Sequence, residues 1–318
     1  MKCCWKELSP MAPRKPILLI GGTGFFGLAL ARALAGTRNE VHILSRTAQP
    51  GIHNGITFHR GSQDNASIVE PLLARAGTVI HLASTTTPGL SAGRSSVDAI
   101  ENLLPAARLM EIMAARPPER LFFVSTGGAI YGNPEYLPVD ETHPSHPLSS
   151  HAAGKAALEG FFSSFAHCAG IPLTILRPSN LYGPGQTLRN GFGLVRTLLD
   201  KARRGKTFEL WGEDSTVRDY LFIDDAVDAV IALLGSARCE GTYNLGAGIG
   251  TTTDELLTLM SHVTQCSLEV IRKPARKVDV RAVYLDCTRL ERLTGWKPKI
   301  DLEQGIRRTW QWLVTSPT

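Results

Sequence analysis

The segment ILLIGGTGFFGLALARAL, residues 17–34, decides the fold. The four apolar residues at its start have the length of a buried strand, and the alanine- and leucine-rich run at its end is typical of a helix. Three glycines spaced as G-x-x-G-x-x-G separate the two. Glycine permits a tight turn and a close approach of phosphates to the backbone, and a helix start offers unpaired N–H groups. The segment therefore predicts a turn that binds the pyrophosphate of a dinucleotide. Its predicted contacts are Gly21, Gly24, Phe25, Phe26 and Gly27.

Strand-like runs alternate with helix-length segments through the first part of the chain. EVHILS (40–45), TVIHLAS (78–84), RLFFVST (120–126) and PLTILRP (172–178) are largely apolar on consecutive residues, as in parallel strands covered on both faces. Helices are predicted over Asn102–Ala115 and Ser150–Ala169. This alternation favours an α/β fold of the Rossmann type, a doubly wound parallel sheet.

The regular alternation weakens after about residue 180, where glycine and proline become frequent. We therefore predict a dinucleotide-binding domain over residues 16–180, to which residues 219–248 return. Residues 181–218 and 249–318 are predicted to form a smaller C-terminal α/β lobe that binds substrate. Residues 1–15 are predicted to be a flexible leader, with Met11 as an alternative start.

Composition argues against several classes of partner. The net charge is +5, and only residues 202–206 and 271–277 are locally basic, so no nucleic-acid surface is predicted. No apolar run has the ~18–20 residues of a membrane span, and no signal peptide is evident, so a cytoplasmic protein without a membrane partner is predicted. The six cysteines have neither zinc-ligand spacing nor disulfide-scaffold density. His143 and His146 have no companion ligands nearby, so no metal site is predicted.

The end of the second predicted strand, HILSRT (42–47), bears on the choice of cofactor. NAD enzymes usually have an acidic residue here, which binds the ribose hydroxyls of the adenosine. This chain has Ser45 and Arg46 instead. A guanidinium suits a 2′-phosphate, so the sequence favours NADP over NAD, although Arg46 could also be an ordinary surface residue.

Taken together, these segments resemble the extended short-chain dehydrogenases of the NAD-dependent epimerase/dehydratase family, which act on nucleotide sugars. The resemblance covers residues 16–312. The motifs that carry it include HLAS (81–84), FFVSTGGAIYG (122–132), LRPSNLYGPGQ (176–186), VRDYLFIDDAVDA (217–229) and YNLGAG (243–248). STGGAIYG is most similar to UDP-hexose 4-epimerases of the family. The implied activity is 4-epimerisation of a UDP- or dTDP-sugar by transient hydride transfer to NAD(P). An NADP-dependent 4-keto-sugar reductase is the alternative.

The resemblance also implies roles for single residues. Ala83, Asn102 and Lys155 would contact the cofactor, with Lys155 at the nicotinamide ribose. Asn180, Arg218 and Arg276 would hold the substrate diphosphate. Arg218 could instead pair with a neighbouring aspartate, Asp219 or Asp224, and Arg276 could be an ordinary surface residue. The family often forms homodimers through the helices predicted over residues 102–115 and 150–169, so a homodimer is expected.

Position 151 departs from the family, which has a catalytic tyrosine four residues before the lysine. His151 is neutral near pH 7 and shares a helix face with Lys155, so it could transfer the proton, although an imidazole reaches less far than a phenol. It could equally be a polar replacement in a weakened site.

Gly154 and Gly127 also replace hydroxyl residues, which leaves Thr126 either to contact the sugar or merely to cap the strand. These departures keep open a second hypothesis, a catalytically silent protein that binds dinucleotide or nucleotide sugar. Gly128 and Ala129 stand where family dehydratases have an Asp-Glu pair, so dehydration is not predicted. Ser62 replaces an aspartate that many relatives use for adenine, and Asp64 could take its place.

Overall fold

A computed structural model describes residues 15–37, 39–48, 50–87, 94–188, 193–211, 216–276 and 278–316. Nearly all of the predicted leader therefore lies outside the described residues. The first half of the chain alternates strands and helices, with one antiparallel strand and one π-helical turn, Ala99–Leu103, between α3 and α4. Its elements are β1 (Ile17–Ile20), α1 (Phe25–Ala35), β2 (Val41–Ser45), β3 (Gly51–His53), β4 (Ile56–Arg60), α2 (Ala66–Leu73), β5 (Thr78–His81), α3 (Ser95–Asp98), α4 (Leu104–Ala115), β6 (Arg120–Val124), α5 (Gly127–Ile130), α6 (Ser150–Ala169) and β7 (Leu173–Pro178).

The second half has shorter strands and several helices. Its elements are β8 (Asn180–Tyr182), α7 (Leu194–Arg204), β9 (Phe208–Trp211), β10 (Val217–Arg218), β11 (Tyr220–Phe222), α8 (Ile223–Gly235), β12 (Gly241–Leu245), β13 (Thr251–Thr252), α9 (Thr253–Thr264), β14 (Val270–Lys273), β15 (Ala282–Val283), α10 (Thr288–Thr294) and α11 (Leu302–Thr315). No helix among the described residues is both long enough and apolar enough to cross a bilayer.

One large sheet organises the molecule, with eight strands in the order β12-β7-β6-β5-β1-β2-β4-β3. All neighbouring pairs are parallel except β3 with β4. The order reverses beside β1, and this places the carboxyl ends of β1, β2, β5 and β6 around one crevice. The predicted Rossmann-type α/β fold is confirmed. β12 joins this sheet beside β7, whereas the exact division into two lobes stays a prediction.

Both faces of the sheet are covered, which explains the consecutive apolar residues of its strands. On one face Leu19, Ile43 and Phe122 pack against helices α1 and α8. On the other face Leu18, Val79 and Phe123 pack against helices α4 and α6. Each of these side chains is at most 1% exposed, and full burial of a large apolar side chain contributes about 1.5–3 kcal/mol. The core therefore holds the strand ends rigidly beneath the crevice.

The residues beyond β7 form three small sheets next to the large one. Their strand orders are β13-β10-β15, β11-β8 and β14-β9. β8 follows directly from the end of β7 and pairs with β11, and β10 lies next to β11 in sequence. This arrangement brings Asn180 and Arg218 to the edge of the crevice, opposite the glycine turn of the large sheet.

Candidate active site

The glycine turn between β1 and α1 forms the floor of the crevice. Gly21 has a φ of +78°, and a β-carbon there would lie 2.5 Å from the Cα of Ala83. A β-carbon at Gly27 would lie 2.6 Å from the Cα of Gly22. No side chain caps the start of α1, and its first turn contains no acidic residue. The turn is therefore a cradle that a side chain would fill, with free N–H groups suited to a pyrophosphate.

The crevice opens into a cavity of about 1030 Å³. Every predicted site residue lines it: Gly21, Gly24, Phe25, Phe26, Gly27, Ser45, Arg46, Ala83, Asn102, Thr126, His151, Lys155, Asn180, Arg218 and Arg276. The structure thus brings together residues from both halves of the chain. The volume is large for a small-molecule site and suits two extended ligands side by side.

At the β2 end of the cavity, Arg46 has a partner that the sequence did not predict. Its guanidinium lies 3.3 Å from the carboxylate of Glu101, which belongs to the π-helical turn 55 positions away in sequence. Ser45 Oγ is 2.7 Å from Thr23 Oγ1 in the glycine turn. The end of β2 carries no acidic residue of its own, but Glu101 supplies a carboxylate close by.

Asp64, suggested as the adenine contact, is not among the residues that line the cavity. Asp64 pairs with Arg108 at 3.4 Å, whereas Ser62 and Gln63 line the cavity. Gln63 Oε1 is 2.8 Å from Nε2 of His81, a ring that burial keeps neutral by lowering its pKa to about 3. Gln63 was missed because its partner comes from a different strand, 18 positions away.

His151 and Lys155 lie one turn apart on α6 and both face the cavity. Lys155 is buried, and its Nζ donates to the carbonyl of Val124 at 2.8 Å. Burial lowers the pKa of Lys155 to about 8, against the opposing effect of Glu159 and Asp98. Burial, and then the charge of Lys155, lower the pKa of His151 to about 4. At neutral pH the pair is therefore an uncharged imidazole beside an ammonium that is still largely protonated.

Asn102 belongs to a polar cluster that the sequence did not reveal. Its side chain bonds Thr85, Thr86 and Asp98, and Thr86 in turn lies 3.1 Å from Nδ1 of His151. The run STTT (84–87) at the carboxyl end of β5 was a usable signal, because parallel strands end at one edge of the sheet.

Asn180 and Arg218 face the cavity from the other side. Asn180 uses one amide hydrogen to bond the carbonyl of Asp219 at 2.9 Å. The alternative salt bridge of Arg218 to Asp219 or Asp224 is not formed. Arg218 donates instead to backbone carbonyls of residues 217, 280 and 281. Asp219 accepts N–H groups of Ala247, Gly248 and Leu285. Successive residues of an extended chain point to opposite sides, so Arg218 has no carboxylate hydrogen-bond partner among the described residues, and Asp279 contributes a nearby negative charge.

Arg276 reaches the cavity from the segment after β14. It makes two hydrogen bonds to the carboxylate of Asp279, at 3.1 and 2.9 Å. Arg276 is exposed and Asp279 is half-buried, and ion pairs near the surface contribute little stability, so exchange of Asp279 for a phosphate would cost little.

Gly127 and Gly154, which replace hydroxyl residues of the family, lie in different structural surroundings. A β-carbon at Gly127 would lie 2.6 Å from the carbonyl oxygen of Arg177, so the backbone there leaves no room for serine. At Gly154 the nearest atom to a β-carbon, Cβ of Asp98, is an ordinary 3.6 Å away. Thr126 lines the cavity, and its hydroxyl makes no hydrogen bond to the described residues and no cap of α5.

The described residues contain no group of three or more His, Cys, Asp or Glu side chains able to hold a metal ion. Both ring nitrogens of His143 are already hydrogen-bonded. Nδ1 lies 2.8 Å from the carbonyl oxygen of Pro144, and Nε2 accepts the backbone N–H of Glu135 at 3.1 Å.

The sequence profile of the NAD-dependent epimerase/dehydratase family matches residues 17–246. The chain belongs to this family. Within it, the chain is 31% identical to a putative UDP-glucose 4-epimerase of Methanocaldococcus jannaschii, over 93% of this chain and 98% of the relative. It is also 31% identical to a UDP-glucose 4-epimerase of Mycolicibacterium smegmatis, over 92% and 96% of the two chains.

Two solved structures of family members are similar along almost the whole chain. The UDP-glucose 4-epimerase of Thermus thermophilus in complex with NAD superposes with a TM-score of 0.88, at 31% identity, over 95% of this chain and all of that one. The UDP-glucose 4-epimerase of Thermotoga maritima with UDP-glucose has a TM-score of 0.87, at 31% identity, over 94% and 98%. The family resemblance seen in the sequence is confirmed, and with it the class of a nucleotide-sugar enzyme.

Proposed function

We propose that this protein is a nucleotide-sugar 4-epimerase in which His151 replaces the tyrosine of the family as the proton-transfer group. One observation carries the proposal. A neutral imidazole faces the cavity one helical turn from a buried ammonium, between the glycine cradle and the cationic edge at Arg218. The relatives with similar full-length chains are named UDP-glucose 4-epimerases, which supports a UDP- or dTDP-hexose as substrate.

The chain supplies binding, orientation and proton transfer. The glycine cradle, Ala83, Asn102 and Lys155 would hold a nicotinamide dinucleotide, which when bound accepts a hydride from the sugar and returns it. His151 would take the proton of the sugar hydroxyl as the carbon becomes a ketone, and would give it back as the alcohol is formed again. The positive charge of Lys155 disfavours protonation of the nearby His151 ring. The ring therefore stays neutral and can accept a proton.

The opposite edge of the cavity suits the diphosphate of the substrate. The described hydrogen-bond partners of Arg218 are all neutral carbonyls, and Asp279 is a nearby negative charge without a hydrogen bond to it, so the guanidinium can bind phosphate oxygens. The second amide hydrogen and the side-chain oxygen of Asn180 have no partner among the described residues. Asn180 can therefore bind the diphosphate next to Arg218. Arg276 is the third predicted contact and must first leave Asp279.

Replacing His151 tests the proposal most directly. The purified protein is analysed for bound dinucleotide by mass spectrometry and then incubated with UDP-glucose or UDP-galactose. We expect His151→Ala to lose ~10²–10⁴ of the turnover rate, the usual contribution of general acid–base catalysis. His151→Tyr restores the phenol of the family and is expected to exceed the wild type.

Three outcomes separate this proposal from its alternatives. Cofactor that stays bound through many turnovers indicates an epimerase, whereas stoichiometric formation of reduced cofactor from added NAD(P)+ indicates a 4-keto-sugar reductase that runs in reverse on these alcohols. Wild type, His151→Ala and His151→Tyr that all bind cofactor but are equally inert would favour a silent binding protein.

The choice of dinucleotide is a separate proposal. The family description and one similar structure name NAD. Arg46 is the sequence feature that favours NADP, and Glu101 beside it would repel a 2′-phosphate. We propose that Glu101→Gln strengthens NADP binding and leaves NAD binding nearly unchanged. Calorimetry with both dinucleotides on the wild type and this variant decides the preference.

We also propose that the protein forms a homodimer. Three large apolar side chains are exposed on the neighbouring π-helical turn, α4 and α6: Ile100 at 61%, Leu104 at 45% and Phe161 at 49%. A second copy would cover this patch.

A further inference from the structure

Four polar side chains from three parts of the chain meet beside the cavity. Thr86, Asp98 and Asn102 are buried, and the side chain of His151 is 12% exposed. Thr86 Oγ1 makes a short hydrogen bond to Asp98 Oδ1 and lies 3.1 Å from His151 Nδ1. Asn102 Nδ2 lies 2.9 Å from Thr86 Oγ1 and 3.0 Å from Asp98 Oδ1.

The donors and acceptors of this cluster can be assigned one after another. Asn102 Oδ1 accepts the backbone N–H of Thr85 at 2.9 Å, so Nδ2 is its donor and points at Thr86 and Asp98. An ionised carboxylate can only accept, so the single hydroxyl hydrogen of Thr86 goes to Asp98.

This assignment leaves one role for His151 Nδ1. The Thr86 oxygen has no second hydrogen to give, so the 3.1 Å contact is a hydrogen bond only if Nδ1 carries a hydrogen and donates it. A neutral imidazole has one N–H, so Nε2 then bears the lone pair. Nε2 has no hydrogen-bonding partner among the described residues, and the ring lines the cavity.

We propose that Thr86 and Asp98 are positioning residues that hold His151 as the Nδ1–H tautomer, so that Nε2 is the proton acceptor presented to the substrate. This inference rests on the proposed function for the identity of the substrate, but the tautomer is a property of the free protein. The charged groups facing the ring are Asp98, 4.0 Å from Nδ1, and Lys155 on the next turn of α6.

The cluster links the two departures from the family on α6. Gly154 faces Asp98, and a β-carbon there would lie 3.6–3.9 Å from atoms of that side chain. A serine at this position would bring a second hydroxyl donor next to the carboxylate. Glycine adds no donor, and Asp98 Oδ2 has no hydrogen-bond partner among the described residues. His151 and Gly154 thus both adjoin Asp98.

The tautomer can be measured without cofactor or substrate. Nitrogen NMR of protein labelled with ¹⁵N-histidine distinguishes a protonated from an unprotonated ring nitrogen, and a His151→Gln sample assigns the signals. At pH 7 we expect a protonated Nδ1 and an unprotonated Nε2. Thr86→Val removes the acceptor, and Asp98→Ala removes the acceptor of the Thr86 hydrogen, which can then go to His151 Nδ1, so both should populate the Nε2–H form. Thr86→Ser should keep the wild-type spectrum.

Kinetics supply the second measurement. Thr86→Val should lower kcat by ~10–100-fold, part of the ~10²–10⁴ that general acid–base catalysis contributes, with little change in KM. Thr86→Ser should recover most of this loss. Thr309→Val is the matched control, because it deletes another buried hydroxyl, bonded to Gly305, that does not line the cavity.

A wild-type ring with hydrogen on Nε2, or a tautomer that does not respond to Thr86→Val and Asp98→Ala, would overturn the inference. An Nδ1–H ring that depends on Thr86 supports it even if no nucleotide sugar is turned over. In that case only the proposed function fails.

Discussion

His151 differs from the tyrosine it replaces chiefly in how it becomes a base. A phenol has an unperturbed pKa near ~10 and must be made acidic by its surroundings, whereas an imidazole is already neutral near pH 7. Burial and Lys155 depress the pKa of His151 further, to about 4, and burial brings that of Lys155 to about 8. The site is thus a base over a broad range of pH, limited at the alkaline side by loss of the Lys155 charge.

The pH dependence of kcat/KM should show both groups. Because a lowered histidine pKa means that the neutral form persists to lower pH, we expect activity to rise with pH through about 4 and to fall above about 8. In His151→Tyr the acid limb should move upward by at least one unit, since the phenol must ionise. Circular dichroism at each pH confirms that the protein remains folded. An acid limb at or above the ordinary histidine pKa of ~6.5 would contradict this prediction.

Single residues were predictable where a local pattern carries the information. The glycines of the turn and Lys155 follow from spacing within one segment. Thr86, Asp98 and Gln63 do not, because their partners lie 65, 12 and 18 positions away and meet only in the folded chain. Arg46 shows the same limit, since its neighbour Glu101 lies 55 positions away in the π-helical turn.

Among the elements, long buried segments were the most predictable. Helix α6 begins and ends where predicted, with Ser149 as N-cap and Gly170 in the left-handed region as C-cap. The helix predicted over residues 102–115 is α4 preceded by a π-helical turn, which turns Asn102 into the site and has no signature in apolar spacing. β3 was missed because it is three residues long and fully exposed.

Substitutions of Gly127 in α5 and Gly154 in α6 test whether the backbone requires glycine where the family has a hydroxyl residue. Gly160, also in α6, serves as the control. Gly154→Ala and its matched control Gly160→Ala should each raise the free energy of unfolding by ~0.5–1 kcal/mol, because helix-interior glycine is costly and neither β-carbon meets a close atom. Gly127→Ala should lower it by ~1–3 kcal/mol, since its β-carbon would meet Arg177 O at 2.6 Å.

Urea unfolding followed by circular dichroism measures all three variants. A Gly154→Ala protein that is as unstable as Gly127→Ala would mean that Gly154 is required by the backbone, and not by the arrangement of Asp98.

For the whole molecule, the alternation of apolar runs and helices was enough to predict the doubly wound sheet, since both faces of its strands must be covered. The relative placement of the C-terminal strands was less predictable. β8, β10 and β11 are two or three residues long, and they pair with segments 33–65 positions apart in sequence, which no local pattern reports. These short strands bring Asn180 and Arg218 to the crevice.

The exposed apolar patch on the helical face yields a prediction about assembly. Ile100, Leu104 and Phe161 expose 61%, 45% and 49% of their surface, and specific interfaces usually bury ~1,200–2,000 Å² in total. Leu104→Glu places a charge in this patch, and an unpaired buried charge is costly. We expect the wild type to sediment as a dimer and Leu104→Glu as a monomer with unchanged far-ultraviolet circular dichroism. Ile52→Glu is the control, since Ile52 is 73% exposed on the edge strand β3. A wild type that stays monomeric at tens of micromolar would contradict the dimer. A Leu104→Glu protein that is still dimeric would mean that the interface lies on another surface.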